Sequence, residues 1–212
     1  MGLSGGIPIP SDPHLRRWML FVDGENLIFR FQNLAREHGI ELREGPYYTR
    51  DVLIWIPDLL ATTRFIVSQS GPEELQRLGV RAHYYTSTVG GEDLVGEARQ
   101  KLWEMGFQPT VFKKPRNRTR TKGVDIALTT DLLSNAYRDN FDSAVLVAGD
   151  GDYVPLVEEV KRLGKVVHVA FFEGEGCGLS PELRLASDNF WHLNEFFLGS
   201  WRDHTAEDRT GP

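Results

Sequence analysis

The chain alternates between short apolar runs and stretches in which apolar residues recur at helical spacing. WMLFVD (18–23) is a compact apolar run ending on an acid, the pattern of a buried strand. From Asn26, NLIFRFQNLAREHG follows a helical period and stops at Gly39, a residue suited to the position just past a helix end. VRAHYYTST (80–88), aromatic and alternating, predicts a strand. GEDLVGEARQKLWEMG (91–106) predicts an amphipathic helix closed by Gly106, and FQPTVFKK a further short strand.

The final third is clearest. KGVDIALTTDLLSNAYRDN is a helix opened by a glycine. SAVLVAGD (143–150) is a buried strand, and DYVPLVEEVKRLG a helix with Pro155 in its first turn and Gly164 at its end. KVVHVAFF predicts another strand, SPELRLAS a short helix with Pro181 at its first position, and NFWHLNEF a last strand and helix. Residues 40–79 are the least readable. DVLIWIPDLLATTRFIVSQ is compatible with a helix broken near Pro57 or with a strand followed by a helix. Strands alternating with helices of about 10–15 residues predict a parallel sheet covered on both faces, an α/β doubly wound fold.

Length fits one domain. Residues 1–15, rich in Gly, Pro and Ser, read as a loose arm; the domain would span 16–197, and 198–212 would form a polar tail. No run of about 18 apolar residues marks a membrane span, and the N-terminus lacks the pattern of a secretory signal. The single cysteine, Cys177, excludes an intrachain disulfide framework and fits a reducing cytoplasm, the expected location.

Charge changes the picture through its distribution. The net charge is −6, yet KKPRNRTRTK (113–122) carries six of the 24 basic residues and no acid. Lys113, Lys114, Arg116, Arg118, Arg120 and Lys122 form a basic segment that runs directly into Asp125, and its composition reads as a loop that orders on nucleic acid.

In doubly wound sheets ligands bind beyond the carboxyl ends of the strands, where strand order reverses. Two predicted strands end in acids at that edge: Asp23 on the first, and Asp150, with Asp152 two residues on, after the fourth. The helix opening near Gly123 starts at the same edge and carries Asp125 in its first turn. Clustered carboxylates suit a hard divalent cation such as Mg²⁺ or Mn²⁺. Each acid also has an ordinary role: Asp23 a strand-end turn, Asp152 a helix cap, Asp125 a complement to the helix dipole. Asp131, six residues beyond Asp125, does not share its helix face and reads as an auxiliary residue; Asp188 reads as a strand start. Tyr84, Tyr85, Phe107 and Phe112 offer stacking surfaces but fit a core better.

Other motifs fail. There is no Walker-type loop, G-E-G-C-G at 174–178 lacks the dinucleotide-binding pattern, the six His residues show no zinc spacing, and Cys177 has no nucleophile-and-base pattern around it.

F-V-D-G-E-N at 21–26, K-G-V-D at 122–125 and A-G-D-G-D-Y at 148–153, in this order, resemble the signature segments of NYN domains, in the PIN-like nuclease superfamily, with the LabA-like bacterial proteins nearest. The resemblance covers roughly 17–197. It implies a Rossmann-like three-layer sandwich with a parallel sheet of about five strands in the order 3-2-1-4-5. It further implies an acidic site for Mg²⁺ or Mn²⁺ that hydrolyses RNA phosphodiester bonds, and often a homodimer. Carried over by motif, Asp23, Asp125 and Asp150 would be the metal-binding carboxylates, with Asp152 an auxiliary ligand. Asn26 would orient a water or phosphate, and Asp131 and Asp188 match weaker family positions. Ala148 replaces the family's small hydroxyl residue, and 40–79 is longer than a minimal domain needs, which would suit a partner surface or lid. The leading expectation is a metal-dependent endoribonuclease. The alternatives are a non-catalytic RNA-binding or regulatory module, and a phosphatase or nucleotide hydrolase on the same scaffold, which the basic segment disfavours.

Overall fold

The computed structural model describes residues 16–57, 63–70, 78–115, 122–174 and 178–210. The expected arm 1–15, Arg116, Arg118, Arg120 and Cys177 lie outside them.

Eight strands and seven helices are described. Strand β1 (Arg16–Asp23) leads into helix α1 (Gly24–Glu37). Two short strands, β2 (Tyr48–Thr49) and β3 (Leu53–Ile54), and helix α2 (Thr63–Ser70) precede β4 (Leu78–Val89). Then come α3 (Glu92–Glu104), β5 (Gln108–Lys114), α4 (Lys122–Tyr137) and β6 (Ser143–Val147). A 3-10 turn (Gly151–Tyr153) passes into α5 (Val154–Arg162), followed by β7 (Val166–Phe171), α6 (Pro181–Ala186), β8 (Asn189–His192) and α7 (Asn194–Thr210).

The main sheet has the order β5-β4-β1-β6-β7-β8 and is parallel throughout. This is the predicted 3-2-1-4-5 arrangement with a sixth strand, β8, added at the β7 edge. Parallel strands need helical crossovers, and those helices cover both faces, so the inner strands are apolar on both sides. β1 shows the consequence. Trp18, Leu20 and Val22 point into one core with residues of α1, α3, α7 and the β2–β3 hairpin. Met19 and Phe21 point into the other with Val124, Leu128 and Leu132 of α4 and Leu156, Val157 and Val160 of α5.

Two expectations need correction. Residues 198–210 form most of α7 and not a polar tail, because Leu198 and Trp201 are buried and the Trp201 indole donates to the Trp55 carbonyl at 3.2 Å. Within 51–69 the described residues give a strand, β3, and then a helix, α2, and they supply core: Val52 through Pro57 are all buried, and the Tyr84 hydroxyl donates to the Ile54 carbonyl at 3.1 Å. Among the described residues, 52–57 are core and not a partner surface or lid.

Strand order reverses at β1, which has β4 on one side and β6 on the other. The crevice expected for ligands therefore opens where β1 and β6 end.

Candidate active site

Asp23 is the last residue of β1 and caps α1, its Oδ1 accepting the Asn26 N–H at 2.9 Å. An acid at a helix N-terminus satisfies a free N–H and complements the dipole. The helix can start this close to the sheet because residue 24 has no side chain: a Cβ there would lie 2.1 Å from the Tyr84 ring. Asn26, implied to orient a water or phosphate, is buried, and its Oδ1 accepts the Gly149 N–H at 3.0 Å. It acts as a strut between the first and third motif segments. Gly149 is held as tightly, since a Cβ would meet the Phe171 ring at 2.3 Å and the Gly178 carbonyl at 2.8 Å.

Asp150 caps the 3-10 turn, its Oδ1 accepting the Asp152 N–H at 3.2 Å. The cap in this segment is thus Asp150, and Asp152 is exposed. Asp125 lies in the first turn of α4. Asp125, Asp150 and Asp152 line one open cleft of about 230 Å³ with Ile126, Thr129, Thr130 and Tyr153.

Asp23 is not on that surface. It is 3% exposed, and Tyr153, whose role the sequence reading did not assign, lies between it and the cleft. The Tyr153 hydroxyl donates to Asp23 Oδ2 at 3.0 Å and stands 3.3 Å from Asp125 Oδ1. Burial pushes the Asp23 carboxyl up to about 7; the negative charge of Asp125 adds to this, while the Asn26 N–H and the Tyr153 hydroxyl oppose it. Burial and the same two carboxylates hold the Tyr153 phenol well above its ordinary value.

The remaining candidates separate from the cleft. Asp131 accepts the Tyr85 hydroxyl at 2.9 Å. Asp188 accepts the Val167 N–H at 2.8 Å and pairs with Lys161 at 3.0 Å, a sheet-edge role. Tyr84, Tyr85 and Phe107 are buried core. Lys113 is exposed, 3.7 Å from Glu92, and Lys122 is the first residue of α4. Lys114, expected among phosphate contacts in a loop, ends β5 and is buried. It lies 3.8 Å from buried Glu25, over the Phe29 ring, and Ser87 donates to the same Glu25. A lysine withdrawn into such a pair is not presented to a polyanion.

The cleft's charged donors are all carboxylate oxygens, which match a hard divalent cation. Among the described residues no three His, Cys, Asp or Glu side chains are grouped to hold a metal as they stand. That does not conflict with Mg²⁺, which usually takes one or two carboxylates and completes its shell with waters and substrate phosphates. By chemistry the residues fit such an ion, with Asp125 and Asp150 the acids that reach the cleft from different elements.

Fold and site define a doubly wound α/β protein with an acid-lined cleft at its switch point. Residues 17–194 match the NYN domain family, and the chain belongs to that family, within the PIN-like superfamily. A crystal structure of a protein of unknown function from Vibrio parahaemolyticus is similar over 89% of this chain and 99% of its own, at 22% identity and a TM-score of 0.54, a likeness of fold. No curated protein matches. No described helix is long and apolar enough to cross a membrane.

Proposed function

We propose that the chain is a divalent-cation-dependent ribonuclease that hydrolyses RNA phosphodiester bonds within the strand. The observation that carries this reading is the convergence of Asp125, Asp150 and Asp152 on one cleft at the switch point, with buried Asp23 behind them. Three carboxylates on a small open surface repel one another and any phosphate, so the cleft is suited to a polyanion only with a cation between them. A bound Mg²⁺ or Mn²⁺ supplies charge stabilisation at a phosphoryl oxygen and a more acidic water. Asp125 and Asp150 would hold the ion, and Asp152, which is exposed, would orient a water on it. Thr129 and Thr130 put hydroxyls on the cleft wall, where they can donate to phosphate or ribose oxygens. Lys113 and the segment leading into α4 supply positive charge for flanking phosphates.

The test is cleavage of labelled single-stranded and structured RNA by the wild type and Asp150→Asn, with Mn²⁺, Mg²⁺ or EDTA. Cleavage by the wild type alone, lost in EDTA, is the expected result. RNA bound without cation and left intact under every condition would replace the reading with a non-catalytic RNA-binding module. Phosphate release from nucleotides without RNA cleavage would replace it with a phosphohydrolase.

A further inference from the structure

We propose that Tyr153 is a positioning residue of the acid cleft: its phenol links buried Asp23 to Asp125, so that the carboxylate facing the cleft is held by the one beneath it. The inference rests on the cation-dependent reading above. Three chain segments that are remote in sequence meet at this hydroxyl: the end of β1, the first turn of α4 and the turn after β6. It lies 3.0 Å from Asp23 Oδ2 and 3.3 Å from Asp125 Oδ1. The ring is 3% exposed and belongs to the core cluster with Val124, Leu128 and Leu156. Packing therefore fixes the hydroxyl, which can serve as a reference point for the carboxylates.

A core tyrosine needs one partner for its hydroxyl, and Asp23 alone would provide it. Contact with a second carboxylate exceeds that need. A phenol carries a single proton and gives it to the nearer acceptor, Asp23. Asp125 is the second acceptor in reach of the same hydroxyl, at 3.3 Å. Asp23 has its other oxygen on the Asn26 N–H, so both of its oxygens are oriented. Groups that orient metal-binding carboxylates are characteristically hydrogen-bonded to them from behind, and the Tyr153 hydroxyl, in reach of both Asp23 and Asp125, is placed for that.

Tyr153→Phe keeps the ring and removes the hydroxyl. Calorimetric titration of the full chain with Mn²⁺ should show affinity reduced roughly 10- to 100-fold in this variant, the range for loss of such a partner. Melting of the cation-free variant checks that it is folded. Because Tyr153 works with Asp23, Tyr153→Phe combined with Asp23→Asn should bind Mn²⁺ no more weakly than Asp23→Asn alone. Wild-type affinity in Tyr153→Phe, or additive losses in the double variant, would overturn the proposal while leaving the cation site standing. If the wild type binds neither Mn²⁺ nor Mg²⁺, the cation-dependent reading falls and this inference with it. Should Tyr153→Phe not fold, the wild type labelled at the tyrosine ring Cζ decides the matter. Mg²⁺ should shift one of the six tyrosine signals, the one that Asp125→Asn also moves, and no response in any of them would refute the link.

Discussion

Burying an acid that can ionise leaves a signature in the pH dependence of stability, and Asp23→Asn isolates it. The Asp23 carboxyl has its value pushed from 3.8 up to about 7 by burial and by Asp125. The native state therefore keeps a proton that the unfolded chain releases between these values, and stability falls as pH rises through that window. Below 3.8 both states are protonated and Asp23 costs nothing. Above 7 both are ionised and the full cost applies, about 4 kcal/mol for the whole shift. Between pH 5 and pH 8 the share lost is about 2–3 kcal/mol, or roughly 5–10 °C in melting temperature at this chain length. Asn cannot ionise, and its amide can still accept from the Asn26 N–H. The assay is urea unfolding of the wild type and Asp23→Asn in EDTA across that range, read as the difference between the two curves. Histidines and other titrating groups common to both proteins cancel in the difference. The wild type should lose ground to Asp23→Asn as pH rises, and parallel profiles would refute the reasoning.

Two further outcomes follow from packing. Gly149→Ala places a methyl 2.3 Å from the Phe171 ring and 2.8 Å from the Gly178 carbonyl, so the turn that carries Asp150 must shift. A loss of about 1–3 kcal/mol in denaturant unfolding is expected, and an unchanged midpoint would show that the turn yields freely. Trp201→Ala removes a 1%-exposed side chain that packs on Phe31 and donates to the Trp55 carbonyl, at a cost of about 3–5 kcal/mol. A loss below about 1 kcal/mol would mean that α7 is not part of the core.

Legibility in the sequence followed the strength of local signals. β1, β6 and β7 are long apolar runs between helices with clear ends, and a parallel sheet with its reversal at β1 follows from them. β8 is a four-residue edge strand whose residues are only partly covered, yet NFWH reads as a last strand; the five-strand sheet comes from the family resemblance and leaves it out. β2 and β3 are two residues each, too short to show a period, and their burial comes from packing on the sheet. In α7, Leu198 and Trp201 are three residues apart in a polar stretch, one turn of an apolar stripe that composition alone hides. Lys114 was read with its basic neighbours, because its partner Glu25 is some ninety positions away and the β1–β4 and β4–β5 pairings bring them together.

The acid site divides along the same line. Local sequence indicated which residues are acidic and which strand ends carry them, and three of these acids do share a cleft. Their depth was not indicated. Asp23 and Asp150 each follow an apolar strand, yet Asp23 belongs to the residue pair that begins a helix against the sheet, while Asp150 stands three residues beyond its strand and reaches the surface. That difference divides the labour within the cluster. Acids at the surface can exchange water and meet a ligand, whereas a buried acid acts on the ligand through its charge and through whatever touches both. Tyr153 is the group in that position, and the difference in depth between Asp23 and Asp125 gives its hydroxyl two carboxylates to join.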